Sequence, residues 1–465
     1  MTIPVKERTF SAPEAPSDAD RSRHARRFGL PSATALVIGN IVGAGIFLLP
    51  AAIAPFGTVS LIGFAAVTLG VVALAAVFGR LARRNPSTGG PYVHARDAFG
   101  EFAGFISAWS YWIATWVSLA AAAAIAVGYA GALLPFSGAA PALGTALFML
   151  WLPGLSNLAG TRYVRGVQSV TTVLKFVPLL LVALAGIFFF DAANLGPFQQ
   201  VPGTAAGAVS ASAAVLLFSY QGVEAASVSA GEVRDPQRNV GRATVAGTML
   251  AALLYLLCIV AVFGTVPHEK LMSSQAPFSD SINAVFGGTW GGTAVACTAL
   301  VSIAGAIAGF TLLSGQTAYA AAQDGLFPAV LAARRRGIPV TGVITAVILA
   351  SLLVSYNYVT GTTRLFEVLV QATAFTSAVP YTLASAAQIY WVLSGRRAVA
   401  PWELARNLLC AAAAGGFSLW LIAGAGYQAV YQGALLVFAG VLIYAVRAAG
   451  KSHASGKDTA GRLQR

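Results

Sequence analysis

Charge is scarce in this chain. Asp, Glu, Lys and Arg make up 10% of its 465 residues, hydrophobic types make up 57%, and mean hydropathy is +0.73. A soluble globular domain carries roughly 25% charged residues, so an ordinary soluble protein is excluded. Cysteine is nearly absent. Cys258, Cys297 and Cys410 each sit in an apolar segment, and none forms a CxxC or Cys/His cluster. That argues against a disulfide framework and structural zinc. The four histidines, His24, His94, His268 and His453, fall in tails or loops and make no metal-ligand spacing. There is no Walker motif, and the glycine run GNIVGAG at 39–45 follows no strand, so a nucleotide fingerprint lacks its context. We expect no cofactor, no resident metal and no enzyme. Residues 1–28 have no apolar core before the first long apolar run, so no cleaved signal peptide is expected.

Apolar runs are what the chain has in abundance. A bilayer core about 30 Å thick needs about 20 apolar residues of helix. Twelve such runs are read at about 31–55, 59–81, 101–132, 139–158, 165–190, 205–231, 241–266, 289–322, 338–356, 365–394, 401–424 and 427–447. The expected fold is an all-α membrane protein with one transporter domain at 29–448, between solvated, disordered tails at 1–28 and 449–465. The formal net charge of +13 is not spread evenly. With twelve spans, 26 of the 29 Lys and Arg fall on one face, leaving Lys270 and Arg364 opposite and Lys175 within a span. The positive-inside rule then places both termini in the cytoplasm. Charge here reports topology and attraction to anionic lipid, not nucleic-acid binding.

Two runs are interrupted. Gly43-Ala44-Gly45 breaks the first, and Gln221-Gly222-Val223-Glu224 breaks the sixth. In hydrocarbon an unwound backbone is tolerated only where it lines a cavity or is buried in protein. Paired breaks in two halves of a chain point to a transporter site at the membrane midplane. Twelve spans divide as five, five and two, so the first and sixth take equivalent places in a LeuT-type plan of a 5+5 inverted repeat plus two helices, with helices 1 and 6 broken. The glycines let a ligand approach the backbone, and the half-helix starting at Ile46 offers free N–H groups suited to a carboxylate. Gly39-x-x-x-Gly43 is also a helix-packing motif. The carbonyls released before Gln221 suit an ammonium. Glu224 is the one acidic residue well within a span, a functional-site hypothesis by default. Lys175 is either a proton carrier or a side chain that snorkels to the interface, about 15 Å of helix from Arg165. Tyr111, Trp112, Trp116, Phe218, Tyr220, Phe310 and Tyr381 place aromatic faces in span interiors, and Asn40 and Thr373 place polar groups there.

Four stretches resemble a known family: GNIVGAGIFLLPA at 39–51, GGPYVHARDAFG at 89–100, GVEAASVSAGEVRDPQRNVGRAT at 222–244 and TLLSGQTAYAAAQDGLFP at 311–328. The chain resembles the amino acid–polyamine–organocation transporters over nearly all of 29–447, specifically the basic amino acid/polyamine antiporters and within them the bacterial arginine/agmatine branch. The resemblance implies a homodimer in the bacterial inner membrane that exchanges an amino acid for its decarboxylated amine by alternating access. It implies that Ala44 and Gly45 hold the α-carboxylate, and that carbonyls of Ile41, Phe218 and Gln221 meet the α-amino group. Asn40, Gly43, Tyr111, Ala114, Thr115, Leu119, Gly222, Phe310 and Thr373 complete the expected substrate site. Tyr92, Glu224, Lys175 and Tyr381 are the expected gating or proton-linked residues. The chain departs from the arginine/agmatine branch, which has Trp at the positions of Phe218 and Phe310, Ser at Ala44 and Asn at Leu119, and lacks Lys175. A proton-coupled permease for a neutral or less basic amino acid is the alternative. A membrane sensor that binds an amino acid without moving it is the alternative from another class.

Overall fold

In the computed structural model of the chain, the described residues are 29–86, 89–134, 136–228, 230, 233–335, 337–360, 365–395 and 400–463. The tail 1–28 and Arg336, Arg364, Arg396 and Arg397 of the charge reading lie outside them. The described residues form helices α1 Leu30–Ile41, α2 Leu49–Ile53, α3 Ser60–Arg84, α4 Pro91–Phe99, α5 Glu101–Leu133, α6 Ala139–Ser156, α7 Thr161–Phe189, α8 Ala205–Ser219, α9 Ala225–Val228, α10 Pro236–Thr265, α11 His268–Ser273, α12 Pro277–Phe286, α13 Trp290–Gln323, α14 Val340–Thr360, α15 Leu365–Ser394, α16 Pro401–Gly424 and α17 Tyr427–Leu463.

Eight described helices are long and apolar enough to cross a membrane: α3, α5, α6, α10, α13, α14, α16 and α17. Twelve runs were expected, and part of the difference is physical. The first run is divided between α1 and α2 and the sixth between α8 and α9, so neither is one long helix. Helix α10 starts five residues before the expected run because Pro236 takes the first helical turn, where its missing N–H costs nothing. Helix α17 continues to Leu463, so residues 449–463 have helical backbone where a disordered tail was expected.

Burial orders the bundle. The apolar window of α5 is 78% buried, against 28% for α16 and 22% for α17. Helix α5 is therefore the central post, packed against α13 and α15, while α16 and α17 turn Leu409, Leu419, Phe438 and Leu442 outward. A helix apolar on every side with such an exposed surface suits lipid rather than water. Glycine allows the closest crossing. A side chain on Gly79 of α3 would meet the Cα of Gly241 of α10 at 2.4 Å. The short helix α4 is set by Gly90, whose φ is +71° and whose missing side chain leaves room for Val228 at the end of α9. Gly89 N–H also donates to the Val228 carbonyl at 3.3 Å.

Candidate functional site

The first interruption begins at Ile41. Val42 leaves the helical region (φ −70°, ψ 72°), a 3-10 turn covers Gly45–Phe47, and α2 resumes at Leu49. The N–H groups of Ala44, Gly45 and Ile46 have no acceptor among the described residues. Such a cluster of free donors at a helix start favours an anion. The second interruption is the turn 220–224 between α8 and α9. Gly222 is required there twice over. Its φ is +99°, and a side chain on it would meet Asn40 at 2.9 Å. The two interruptions thus touch each other.

Between them lies a narrow cavity of about 20 Å³, room for little more than one water, so a substrate needs its walls to part. Its walls come from Ile41 and Gly43-Ala44-Gly45, from Ser118, Leu119 and Ala122 of α5, from Phe218 and Gln221, and from Ala306, Ile307 and Phe310 of α13. Eight of the expected substrate-site residues therefore meet at one cavity: Ile41, Gly43, Ala44, Gly45, Leu119, Phe218, Gln221 and Phe310. Gly43 faces Phe310, whose Cε2 lies 3.7 Å from where a Cβ would be.

The other six stand off the wall, for local reasons. Asn40 Nδ2 donates to Leu36 O at 2.8 Å, Thr115 Oγ1 to Trp112 O at 2.7 Å and Thr373 Oγ1 to Leu369 O at 2.7 Å, so each hydrogen-bonds to its own helix. Ala114 accepts from Ser118 at 2.6 Å, Gly222 packs on Asn40, and Tyr111 turns to Glu224. Two serines absent from the expected set hold Gln221. Ser118 Oγ lies within hydrogen-bond distance of the Gln221 side-chain amide, whose Nε2 donates to Ser377 Oγ at 3.1 Å. The signal for Ser118 was its position one residue before Leu119, on a helix with an almost wholly apolar middle.

On the side of the basic face the cavity is shut. Tyr111 Oη donates to Glu224 Oε1 at 2.6 Å and Tyr381 Oη to Oε2 at 3.0 Å, so both carboxylate oxygens of a buried Glu224 are engaged. Tyr111, Val228 and Leu313 close over Phe310. Further out, Tyr92 Oη donates to Asp324 Oδ2 at 2.9 Å and Arg96 Nη1 pairs with the same oxygen at 2.6 Å. Burial, then the Asp324 charge, pushes the Tyr92 phenol up, which keeps it a donor. Next to it on α4, burial pulls His94 down to about 4, with Asp97 opposing. On the opposite side, a second, open cavity of about 740 Å³ continues along α5, past Ala124 and Gly128, with Leu48, Asp280 and Glu367 also on its walls.

Lys175 does not snorkel. It is 2% exposed, and its Nζ donates to Gly39 O at 2.9 Å, just before the first interruption. Tyr255 of α10 was not expected at all. Its hydroxyl lies 2.6 Å from Ile41 O and 3.0 Å from Ser219 O, the ends of both interrupted helices. A single Tyr in the run AALLYLLCIV was the available signal, because a buried phenol needs a partner.

An α-helical bundle of this kind, with an enclosed cavity where two helices lose their regular structure, defines a multi-span membrane transporter. Residues 28–452 match the model of the amino acid permease family. The chain is 32% identical to the cadaverine/lysine antiporter of Escherichia coli over 70% of its length and 73% of that protein. It is 33% identical to a putative arginine/ornithine antiporter of Bacillus subtilis over 69% of its length and 74% of that protein. A putrescine transporter of Haemophilus influenzae is 29% identical over 91% of the chain and 97% of that protein. The chain belongs to the amino acid–polyamine–organocation superfamily, in its basic amino acid/polyamine antiporter family. It is a transmembrane antiporter-family transporter and not an enzyme.

Proposed function

We propose that the protein exchanges a basic amino acid for its decarboxylated amine by alternating access in the bacterial inner membrane. The relatives are named for lysine with cadaverine, arginine with ornithine, and putrescine, so a lysine- or ornithine-type pair replaces the arginine/agmatine pair as the leading assignment. The observation that carries the reading is the cavity between the interruptions. Free N–H groups of Ala44 and Gly45 on one wall suit a carboxylate, and the α8 helix end on the other suits an ammonium. Leu119, Ala122 and Phe310 leave an apolar wall with one π-face for the side chain. The full plan is the LeuT-type 5+5 repeat, with the basic face and both termini cytoplasmic and two copies per assembly. In that orientation the wide cavity opens outward, and the contacts around Glu224 and Asp324 form the closed inner gate.

The test is competition against labelled lysine in proteoliposomes, using lysine, cadaverine, ornithine, putrescine, arginine, agmatine and neutral amino acids. Exchange that requires internal amine and is inhibited by basic compounds is expected. Inhibition by neutral amino acids alone overturns the reading. The buried Lys175 favours a second reading, a proton-coupled permease, because its Nζ donates to Gly39 O beside the first interruption and an ionisable group at that depth is a functional-site hypothesis by default. Lys175→Ala separates the two: it abolishes pH-driven uptake under the second reading and leaves it unchanged under the first.

A further inference from the structure

The inner ends of α3, α15 and α16 carry a basic groove that the transport reading does not use. Helices α3 and α16 run antiparallel. A side chain on Gly70 would strike Phe417, and Cys410 Sγ lies 3.6 Å from Ala73 O. That pairing brings Arg80 level with residues 403–407. Arg80 Nη1 is buried there without a hydrogen-bond acceptor among the described residues, and Asn407 Oδ1 is buried without a donor among them. A buried charged donor with no partner is costly, and native structures pair such groups or supply a ligand. Arg84 lies one helical turn beyond Arg80 on the same face, a like-charge spacing that is unfavourable unless an anion offsets it.

The groove is open to solvent, with about 530 Å³ of space bounded by Arg84, Asn85, Asp97 and Trp391. Arg84 stacks on Trp391, its Cζ 3.4 Å from the ring centroid. On the adjoining helix Arg406 lies 4.5 Å over Trp402. Among the described residues neither Arg80, Arg83, Arg84 nor Arg406 is ion-paired with a carboxylate. The acids nearby are Asp97, which accepts from Asn85 Nδ2 at 2.6 Å, and Glu403 at the start of α16. Just towards the hydrocarbon, Trp402 (62% exposed) and Leu409 (71%) present bare apolar surface. A soluble anion would have no use for that surface, whereas a headgroup attached to acyl chains fills both.

We propose that this groove is a binding site for an anionic phospholipid, its phosphate taken by Arg80 and Arg84 and its chains laid along Trp402 and Leu409. Basic pockets between spanning helices hold such headgroups, and each arginine at the surface is worth about a fivefold change in affinity.

The experiment titrates the purified full chain in detergent with phosphatidylglycerol, with phosphatidylcholine and with soluble glycerol phosphate, following the thermal unfolding midpoint. Phosphatidylglycerol is expected to raise the midpoint saturably, and the other two are not. Arg84→Gln is expected to weaken the half-saturating concentration about fivefold, and Arg80→Gln with Arg84→Gln about twenty-five-fold. Arg334→Gln, which removes an arginine stacked on Tyr319 elsewhere on the basic face, should leave it unchanged. Arg84 is exposed, so its variant folds even where the double variant does not, and size-exclusion profiles report which case applies. The proposal is overturned by no stabilisation of the wild type, by equal stabilisation from glycerol phosphate or phosphatidylcholine, or by an unchanged titration in Arg84→Gln.

Discussion

The Tyr255 hydroxyl sits 2.6 Å from the Ile41 carbonyl and holds it at the point where α1 ends. That carbonyl also accepts the Gly43 N–H at 2.6 Å. The same hydroxyl reaches Ser219 O at 3.0 Å, which joins the two interruptions through one side chain. The Ile41 oxygen expected to receive a substrate ammonium is therefore positioned by Tyr255. Tyr255→Phe keeps the ring and removes the bridge. Two buried carbonyls lose a donor, although Ile41 O keeps the Gly43 N–H, and the cost is about 1 kcal/mol. We expect KM for exchange to rise several-fold while Vmax and the unfolding midpoint change little. A KM that stays level or falls would show the hydroxyl to be a competitor for the carbonyl, not its support.

Asp324 is the shared acceptor that ties α4 to the end of α13, through Tyr92 and Arg96. Both members of the ion pair are about one-third exposed, so the pair alone contributes at most ~1 kcal/mol. The hydrogen bond from Tyr92 adds a similar amount. Asp324→Asn should shift the gate equilibrium five- to twentyfold, on the order of 1–2 kcal/mol, towards the basic-face-open state. Ser110 and Ser314 lie buried behind this gate with hydroxyls that find no partner among the described residues. Cysteines placed there in a cysteine-free background report the opening. Faster labelling from the basic face in the Asp324→Asn variant is expected, and equal rates would remove Asp324 from the gate.

His94 makes the α4 region acid-sensitive. Its pKa falls from 6.5 to about 4 on folding because the ring is buried. The unfolded chain binds the proton more readily, so stability rises with pH between about 4 and 6.5. The contribution is complete above 6.5 and lost as pH falls towards 4. The loss over that window is roughly 3 kcal/mol. His94→Gln should flatten the corresponding part of the unfolding-midpoint profile. The same slope in wild type and variant would assign it to other groups.

The parts of the site that were legible in the sequence were the ones encoded by backbone need. Gly43, Gly45 and Gly222 stand out because only an unwound segment needs them within a lipid-length run. Leu119 and Phe310 were placed by resemblance, and both line the cavity. Thr115, Thr373 and Asn40 stand off its wall for one shared reason. A lone polar residue in a helix has its own i−3 or i−4 carbonyl always within reach, and each of these takes it. Lys175, Tyr255 and Ser377 act on groups far away in sequence, Gly39, Ile41 and Gln221, and no local pattern records such pairings. The continuous fifth run gave no hint of whether Lys175 pointed inward or towards the interface. Packing against α1 decided it.

Selectivity for the distal group rests on Phe310. It shares its wall with Ala306 and Ile307, and faces Gly43 at van der Waals distance. A phenyl face attracts a cation and an indole does so more strongly, the whole interaction being worth about 0.5–1 kcal/mol at exposed sites and about 2 where water is excluded. Phe310→Trp should therefore raise affinity for arginine or lysine relative to a neutral amino acid by roughly fivefold. The larger ring also takes space from an already narrow cavity, so absolute affinity for long substrates falls even as the ratio rises. Competition curves for lysine, arginine and leucine against one labelled substrate separate the two effects. A ratio unchanged by Phe310→Trp would mean that the cationic end lies elsewhere, most simply towards Asp280 and Glu367 in the wide cavity.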